Sequence, residues 1–311
     1  MEEFQKHNRR NFIKQIGLAG GALALTGIPN DLLAAAGQTK ITILHTNDTH
    51  SRIDPFPESD PKFGGMGGVA RRMQLINKIR LEEKNVLLFD SGDIFQGTPY
   101  FNFYGGELEI KLMSAMKYDA ATMGNHDFDA GINGFAKQLA HAKFPFLCSN
   151  YDFSKTVLAG KTQDYTIIEK ENIRIGIFGL GIELQGLVDE KCFEKTMHKN
   201  PLDTANIIAK NLKENQKCDI IICLSHLGYR YDGSRKISDA VLAEQSDNID
   251  LILGGHTHTF LDEPVTFKNL KGNKVLVAQT GFGGIRLGRI DFLIEKKSGK
   301  ISHKNRTVKI S

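Results

Sequence analysis

KITILHTNDTH, residues 40–50, joins an apolar run to a polar tail. Residues 40–45 read as a β-strand, and the tail sets Asp48 and His50 one residue apart just beyond it. The same arrangement recurs along the chain. A strand at 86–89 runs into Ser91-Gly92-Asp93, and one around Ala120 runs into GNHDFD at 124–129. One at 219–224 precedes Ser225-His226, and one at 249–253 precedes GHTH at 255–258. Helical periodicity at 68–84, 107–117 and 132–142 separates the early strands, the last of which lies at 145–148. A βαβαβαβ order implies parallel strands covered by helices, and the carboxyl ends of such strands are where ligands are held. Residues 165–169 and 174–180 flank Lys170-Glu171-Asn172 as a hairpin, a helix is expected at 204–214, and 265–268, 274–279 and 288–295 close the chain as antiparallel strands. The expected fold is therefore α/β, with two mixed sheets packed face to face and helices outside.

The 311 residues, 41% hydrophobic and 24% charged, suit a globular protein with a full core. No interior Pro- or Ser-rich linker breaks the chain, so a single domain is expected from 38 to 311. The net charge of +4 is scattered rather than gathered into a basic stripe, which argues against a nucleic-acid polymer as partner. Residues 1–36 run from Arg9-Arg10-Asn11-Phe12-Ile13-Lys14 through a short apolar stretch to Ala34-Ala35-Ala36. This is the pattern of an export signal, too short for a membrane span. The paired arginines resemble the twin-arginine type; an ordinary secretory signal is the alternative. A periplasmic or otherwise exported protein without a lasting membrane anchor is expected. Cys148, Cys192, Cys218 and Cys223 form no C-x-x-C pair, and the first, third and fourth lie in or beside apolar runs as buried hydrophobes.

Five of the ten histidines fall beyond strands: His50, His126, His226, His256 and His258. A lone histidine at a strand end is usually a hydrogen-bonded structural residue. Five in series beside carboxylates point instead to metal ligation. Asp48/His50 and His256/His258 each share one spacing, which in an extended segment turns both side chains to the same side. Three oxygen donors (Asp48, Asn125, and Asp90 or Asp93) and four imidazoles (His50, His226, His256, His258) exceed one tetrahedral site. They fit two divalent ions sharing a carboxylate, with zinc, manganese or iron suited better than calcium.

The series D-x-H, G-D, G-N-H-D, H and G-H-x-H resembles the calcineurin-like metallophosphoesterases, which are four-layer α-β-β-α sandwiches. HTNDTH at 45–50, GDIFQGT at 92–98, GNHDFD at 124–129, LSHLG at 224–228 and GGHTH at 254–258 narrow the resemblance. They point to the N-terminal catalytic domain of the bacterial 5′-nucleotidase/UDP-sugar hydrolase group, and the likeness covers about 38–295. The resemblance implies that Asp93 bridges the two ions. Asp48, His50 and His258 then complete one set, and Asn125, His226 and His256 the other. It also implies a catalytic His126 oriented by Asp129, Asp127 and Asp90 serving the loops, and in-line attack on phosphorus by a hydroxide bridging the ions. Substrates would be phosphate esters such as 5′-nucleotides. A 2′,3′-cyclic-nucleotide phosphodiesterase, a promiscuous phosphomonoesterase and a metal- or phosphate-binding protein without turnover are the alternatives.

Relatives of this type usually continue into a second, substrate-binding domain, whereas this sequence ends at Ser311. One reading is a separate polypeptide carrying that domain as partner; the other is a promiscuous monoesterase or a cyclic-nucleotide diesterase that works without it. His45 is read as a packing residue. The glycine-rich segment 63–68 is either a phosphate cradle at a helix start or a rim loop. Phe95, Tyr100, Phe101 and Phe103 either stack on a base or anchor their loop.

Overall fold

The structure, a computed structural model, describes residues 37–233, 236–295 and 301–311. The expected export signal at 1–36 lies outside the described residues.

The chain opens with β1 (Gln38–Thr46), α1 (Val69–Glu82), β2 (Val86–Asp90), α2 (Pro99–Tyr104), α3 (Glu107–Ala115), β3 (Ala120–Ala121) and α4 (Gly131–Gln138). Next come β4 (Tyr151–Asp152), β5 (Tyr165–Lys170), β6 (Ile173–Gly181), α5 (Glu190–Phe193), β7 (Met197–His198), α6 (Pro201–Lys210) and β8 (Ile220–His226). It closes with α7 (Asp239–Gln245), β9 (Leu251–Leu253), β10 (Val265–Lys268), β11 (Lys274–Ala278), β12 (Arg286–Glu295) and β13 (Ile301–Lys309).

Two mixed sheets form, ordered β13-β12-β1-β2-β3 and β10-β11-β9-β8-β6-β5. Strand side chains alternate between faces, and here both faces are buried. Ile41, Ile43, Leu87 and Phe89 meet Ile220, Ile222, Leu224 and Leu253 in a seam between the sheets. Leu44 and Leu88 face the other way, against Ile76, Ile110 and Ile132 of α1, α3 and α4. Ile221 and Cys223 face Ala205, Ile208 and Leu242 of α6 and α7. Helix, sheet, sheet, helix is the four-layer order the sequence led one to expect. A one-residue slip in β8 would exchange two buried faces of different shape, so register is tightly fixed.

Several expectations need correction. The strand expected at 145–148 contributes only isolated bridges, Ala121 to Phe146 and Leu147 to Gln163. The three closing strands do not form one antiparallel unit: β11 runs parallel to β9 in the second sheet, whereas β12 pairs antiparallel with β1 in the first. The helix expected at 132–142 ends at Gln138 and tightens into a 3₁₀ turn, Leu139–His141. Among the described residues no helix is long and apolar enough to cross a membrane.

β1, β2 and β3 run parallel, as do β8 and β9, and the loops at their carboxyl ends converge across the seam. Ser91 Oγ donates to Leu253 O across the sheets (2.7 Å), and Gly283 N donates to Asp48 O (2.7 Å).

Candidate metal centre

Asp48, His50, Asp93 and His258 offer donor atoms all within 4.8 Å of one another, as do Asp93, His226 and His256. Asp93 belongs to both groups. Asn125 Oδ1 joins the second, 2.8 Å from His256 Nδ1. All seven residues singled out in the sequence thus gather at one point, although the first and last stand 210 positions apart (258 − 48).

The reason given for the pairing of Asp48 with His50 needs correction. Neither lies in extended backbone; both have φ of 48°. His256 and His258 are likewise left-handed, at 70° and 50°, and Asp93 is at 55°. These five make up more than a third of the thirteen non-glycine residues with positive φ among the described residues. Such conformations are costly for residues with a Cβ and persist where the surroundings over-determine them, typically at functional sites. Each side chain is aimed by a turn past its strand, not by the pleat.

Glycines let those turns close. A Cβ on Gly124 would lie 2.2 Å from Asp93 Oδ1, and one on Gly92, at φ 86°, would lie 2.4 Å from Gly124 N.

The donors face each other in a way that calls for a cation. Asp48 and Asp93 are almost wholly buried. His226 Nδ1 donates to Ser91 O (2.6 Å), which turns the buried Nε2 toward Asp93 Oδ2 at 3.2 Å and Asp48 Oδ1 at 3.9 Å. Those two carboxylates are the groups that nitrogen faces. His50 Nε2 stands 3.0 Å from His258 Nε2, and His258 Nε2 stands 3.3 Å from Asp48 Oδ1. Burial disfavours a charged His226, yet Asp93 and Asp48 outweigh it and push the imidazole up to about 10. Burial would likewise raise Asp93, but His226 and His50 hold its carboxyl below the usual carboxylate range. Burial, reinforced by His226, depresses His256 to about 4, leaving a neutral ring suited to ligation. Two carboxylates, an amide oxygen and four imidazoles suit divalent transition metals.

His126 lies beside this cluster, its ring 5.3 Å from that of His50. Its Nδ1 donates to Asp129 Oδ2 at 2.7 Å, a contact that raises the imidazole pKa against the opposing effect of burial. Its backbone N donates to Asp93 Oδ1 (2.8 Å), so the two functional segments are tied together.

Asp127 accepts from the backbone N of Asp93, Ile94, Phe95 and Gly124, as a loop-fixing residue should. Asp90 accepts from Thr46 Oγ1 and Gly92 N. His45 is buried away from the cluster and depressed to about 3 by burial. The segment 63–68 is a rim loop: Gly64, Gly65 and Gly67 donate to Asp60 O, Phe56 O and Ile310 O, leaving no cradle. Phe95 is fully buried and Phe101 packs on it, with ring centroids 5.5 Å apart, so both anchor the loop.

Some contributors escaped the sequence reading. Asn47 Oδ1 accepts from Thr280 N (2.8 Å) while its Nδ2 donates to Asp48 Oδ2 (2.5 Å). Phe282 stacks on His258 at 5.0 Å and 15°, fixing that ring. Their partners lie over two hundred residues away or in a loop without a motif, so only the fold reveals them.

Residues 41–260 match the calcineurin-like phosphoesterase family model. The chain is 31% identical to a snake venom 5′-nucleotidase of Crotalus adamanteus over 299 residues, covering 87% of this chain and 48% of that one. It superposes on a 5′-nucleotidase precursor from Thermus thermophilus with a TM-score of 0.78 at 30% identity, covering 88% of this chain and 55% of that one. A calcineurin-like phosphoesterase of Bacillus subtilis gives a TM-score of 0.71 at 27% identity, covering 88% and 91%. The chain thus spans about half the length of the venom and Thermus proteins.

Proposed function

Since the chain belongs to the calcineurin-like phosphoesterase family, we propose that it is an exported metal-dependent phosphoesterase acting on small phosphate esters, nucleotides among them. Residues 38–311 form its catalytic domain and 1–36 its twin-arginine-type signal. The observation that carries this reading is the sharing of Asp93 between two donor groups, with the buried His226 Nε2 aimed at it from 3.2 Å.

Asp48, His50, His258 and Asp93 would hold one divalent ion, and Asn125, His226, His256 and Asp93 a second. Such a pair, when bound, supplies positive charge for the phosphoryl oxygens and lowers the pKa of an attacking water. The protein's own groups do the rest. Ser91 O fixes the His226 tautomer, and Phe282 holds the His258 ring flat. His126, half exposed at the mouth, faces the phosphoryl group with Nε2 free while Asp129 holds Nδ1. It stabilises charge developing on phosphorus or gives a proton to the leaving oxygen, a role worth about 10²–10⁴ in rate. No side chain needs to be phosphorylated. The similarity to 5′-nucleotidases supports nucleotides as substrates. A separate chain carrying a second nucleotidase domain remains part of the proposal.

The test is turnover of a chromogenic phosphomonoester with zinc or manganese, wild type beside His126→Ala. Wild type should show metal-dependent turnover, and the variant should lose about 10²–10⁴ in kcat while still loading metal. Two equally inert proteins that both load metal would refute the enzyme. AMP, UDP-glucose, 2′,3′-cyclic AMP and an aryl phosphate, assayed side by side, then rank the substrates.

A further inference from the structure

A second cavity opens beside the metal centre. The centre faces a cavity of about 260 Å³ lined by His50, His126, His258, Phe282 and Arg52, among others. Arg52 also lines the neighbouring cavity, of about 450 Å³, whose walls include Asp54, Pro57, Tyr100, Phe103 and Tyr104. That volume falls within the usual range for a small-molecule site.

Its walls have a defined chemistry. α2 buries none of its residues fully, but Phe101 packs toward the core against Phe95, which turns Phe103 and Tyr104 outward. They are 81% and 53% exposed, large apolar surface left uncovered at the edge of a concavity. Tyr100 Oη donates to Asp54 Oδ2 at 2.7 Å, so the phenol ring and the carboxylate hold each other in place. At the junction of the cavities Arg52 lies over the Phe56 ring, 4.2 Å from its centroid. That contact holds the guanidinium, which forms no close ion pair among the described residues and acts on Asp60 only at longer range. A guanidinium so held suits phosphate oxygens.

Resting on the phosphoesterase reading above, we infer that this second cavity is a leaving-group subsite, built within this chain, for a planar aromatic group such as a nucleobase. The phosphoryl group lies at the metal cluster, and Arg52 takes the linking phosphate or sugar edge. The aromatic part reaches over Arg52 to the Phe103 and Tyr100 rings. Asp54 presents a carboxylate oxygen to an exocyclic amine and disfavours a second anionic group there. Every base offers a flat π-face that an aromatic ring can stack on. The aromatic contacts therefore set selectivity rather than the chemical step.

The experiment compares kcat/KM for AMP with that for glycerol 2-phosphate, in the metal-loaded full chain, for wild type, Phe103→Ala and Arg52→Met. It adds equilibrium dialysis of adenosine, which carries no phosphate, against each protein. Phe103 is exposed, so its truncation leaves the core intact. The AMP-to-glycerol-phosphate ratio should fall about tenfold in Phe103→Ala, with adenosine retention lost; Arg52→Met should lower the ratio as well. An active enzyme whose ratio stays put in Phe103→Ala, or which fails to retain adenosine, overturns the subsite while leaving the phosphoesterase standing. A change of sedimentation in Phe103→Ala with the ratio unmoved makes the patch a self-association surface and also overturns it. Wild type that retains adenosine through Phe103 yet hydrolyses no ester supports the subsite and refutes the enzyme.

Discussion

Asp127 and Asp129 sit two positions apart in one hexapeptide and do opposite work. Asp127 is fully buried and accepts backbone N–H groups at 3.0, 2.9, 3.1 and 2.8 Å, from the loop after β2 and the loop after β3. Asp129 stands at the surface holding His126. Asp127→Ala leaves four buried donors orphaned, each costing about 1–3 kcal/mol before relaxation. We expect a loss of at least about 3 kcal/mol, seen as a drop of about 6–12 °C in thermal midpoint by circular dichroism. Asp129→Ala should stay within about 1 kcal/mol of wild type in the same scan, while its turnover falls. Equal midpoints for the two variants would contradict this division. From the bare hexapeptide the division was not legible, because both residues are aspartates in a turn-rich stretch. The resemblance assigned the roles, and burial supplies the reason for one of them. Asn47 and Phe282 were not legible at all, since their task is to meet loops far along the chain.

At the scale of elements, what the sequence made visible followed from burial. β1, β2 and β8 are buried on both faces and stood out as runs, as did the hairpin β5–β6 with its polar turn. β13 did not: ISHKNRTVK keeps only Ile301 and Val308 as large apolar residues, because an edge strand with an exposed face needs few. α7 is seven residues long, too short to show a period. Strand starts carry their own chemistry. Asp250, ahead of β9, donates its N to Ile221 O (3.0 Å) and accepts Ile221 N on Oδ2 (2.8 Å), tying β9 to β8. Burial pushes its carboxyl up to about 6. Between the ordinary carboxylate value and 6 the folded chain keeps a proton that the unfolded chain has released, so stability falls as pH rises through that window and stays lowered above it. Asp250→Asn keeps an acceptor for Ile221 N and removes the titration. Its stability relative to wild type should therefore rise by about 1–3 kcal/mol from pH 4 to pH 7, measured by urea unfolding. Parallel pH trends for the two proteins would show that the carboxyl is not held this way.

For the molecule as a whole, the metal centre is also a clasp. Four of its donors follow strands of the first sheet (Asp48, His50, Asp93, Asn125), and three belong to the second (His226, His256, His258). Without a cation, two buried carboxylates and a ring of imidazoles are held together by hydrogen bonds and a proton on His226 alone. An ion binding the folded chain and not the unfolded one stabilises it by about 2.7 kcal/mol at a hundredfold excess over its dissociation constant. Chelator dialysis of the whole chain should therefore lower the thermal midpoint by about 5–10 °C. Zinc or manganese added back should restore it. Asp93→Ala should abolish the response to both treatments, because the carboxylate common to the two donor groups is gone. An unchanged midpoint after chelation, with elemental analysis proving the metal removed, would mean that the two sheets close without it and that the converging donors serve only packing.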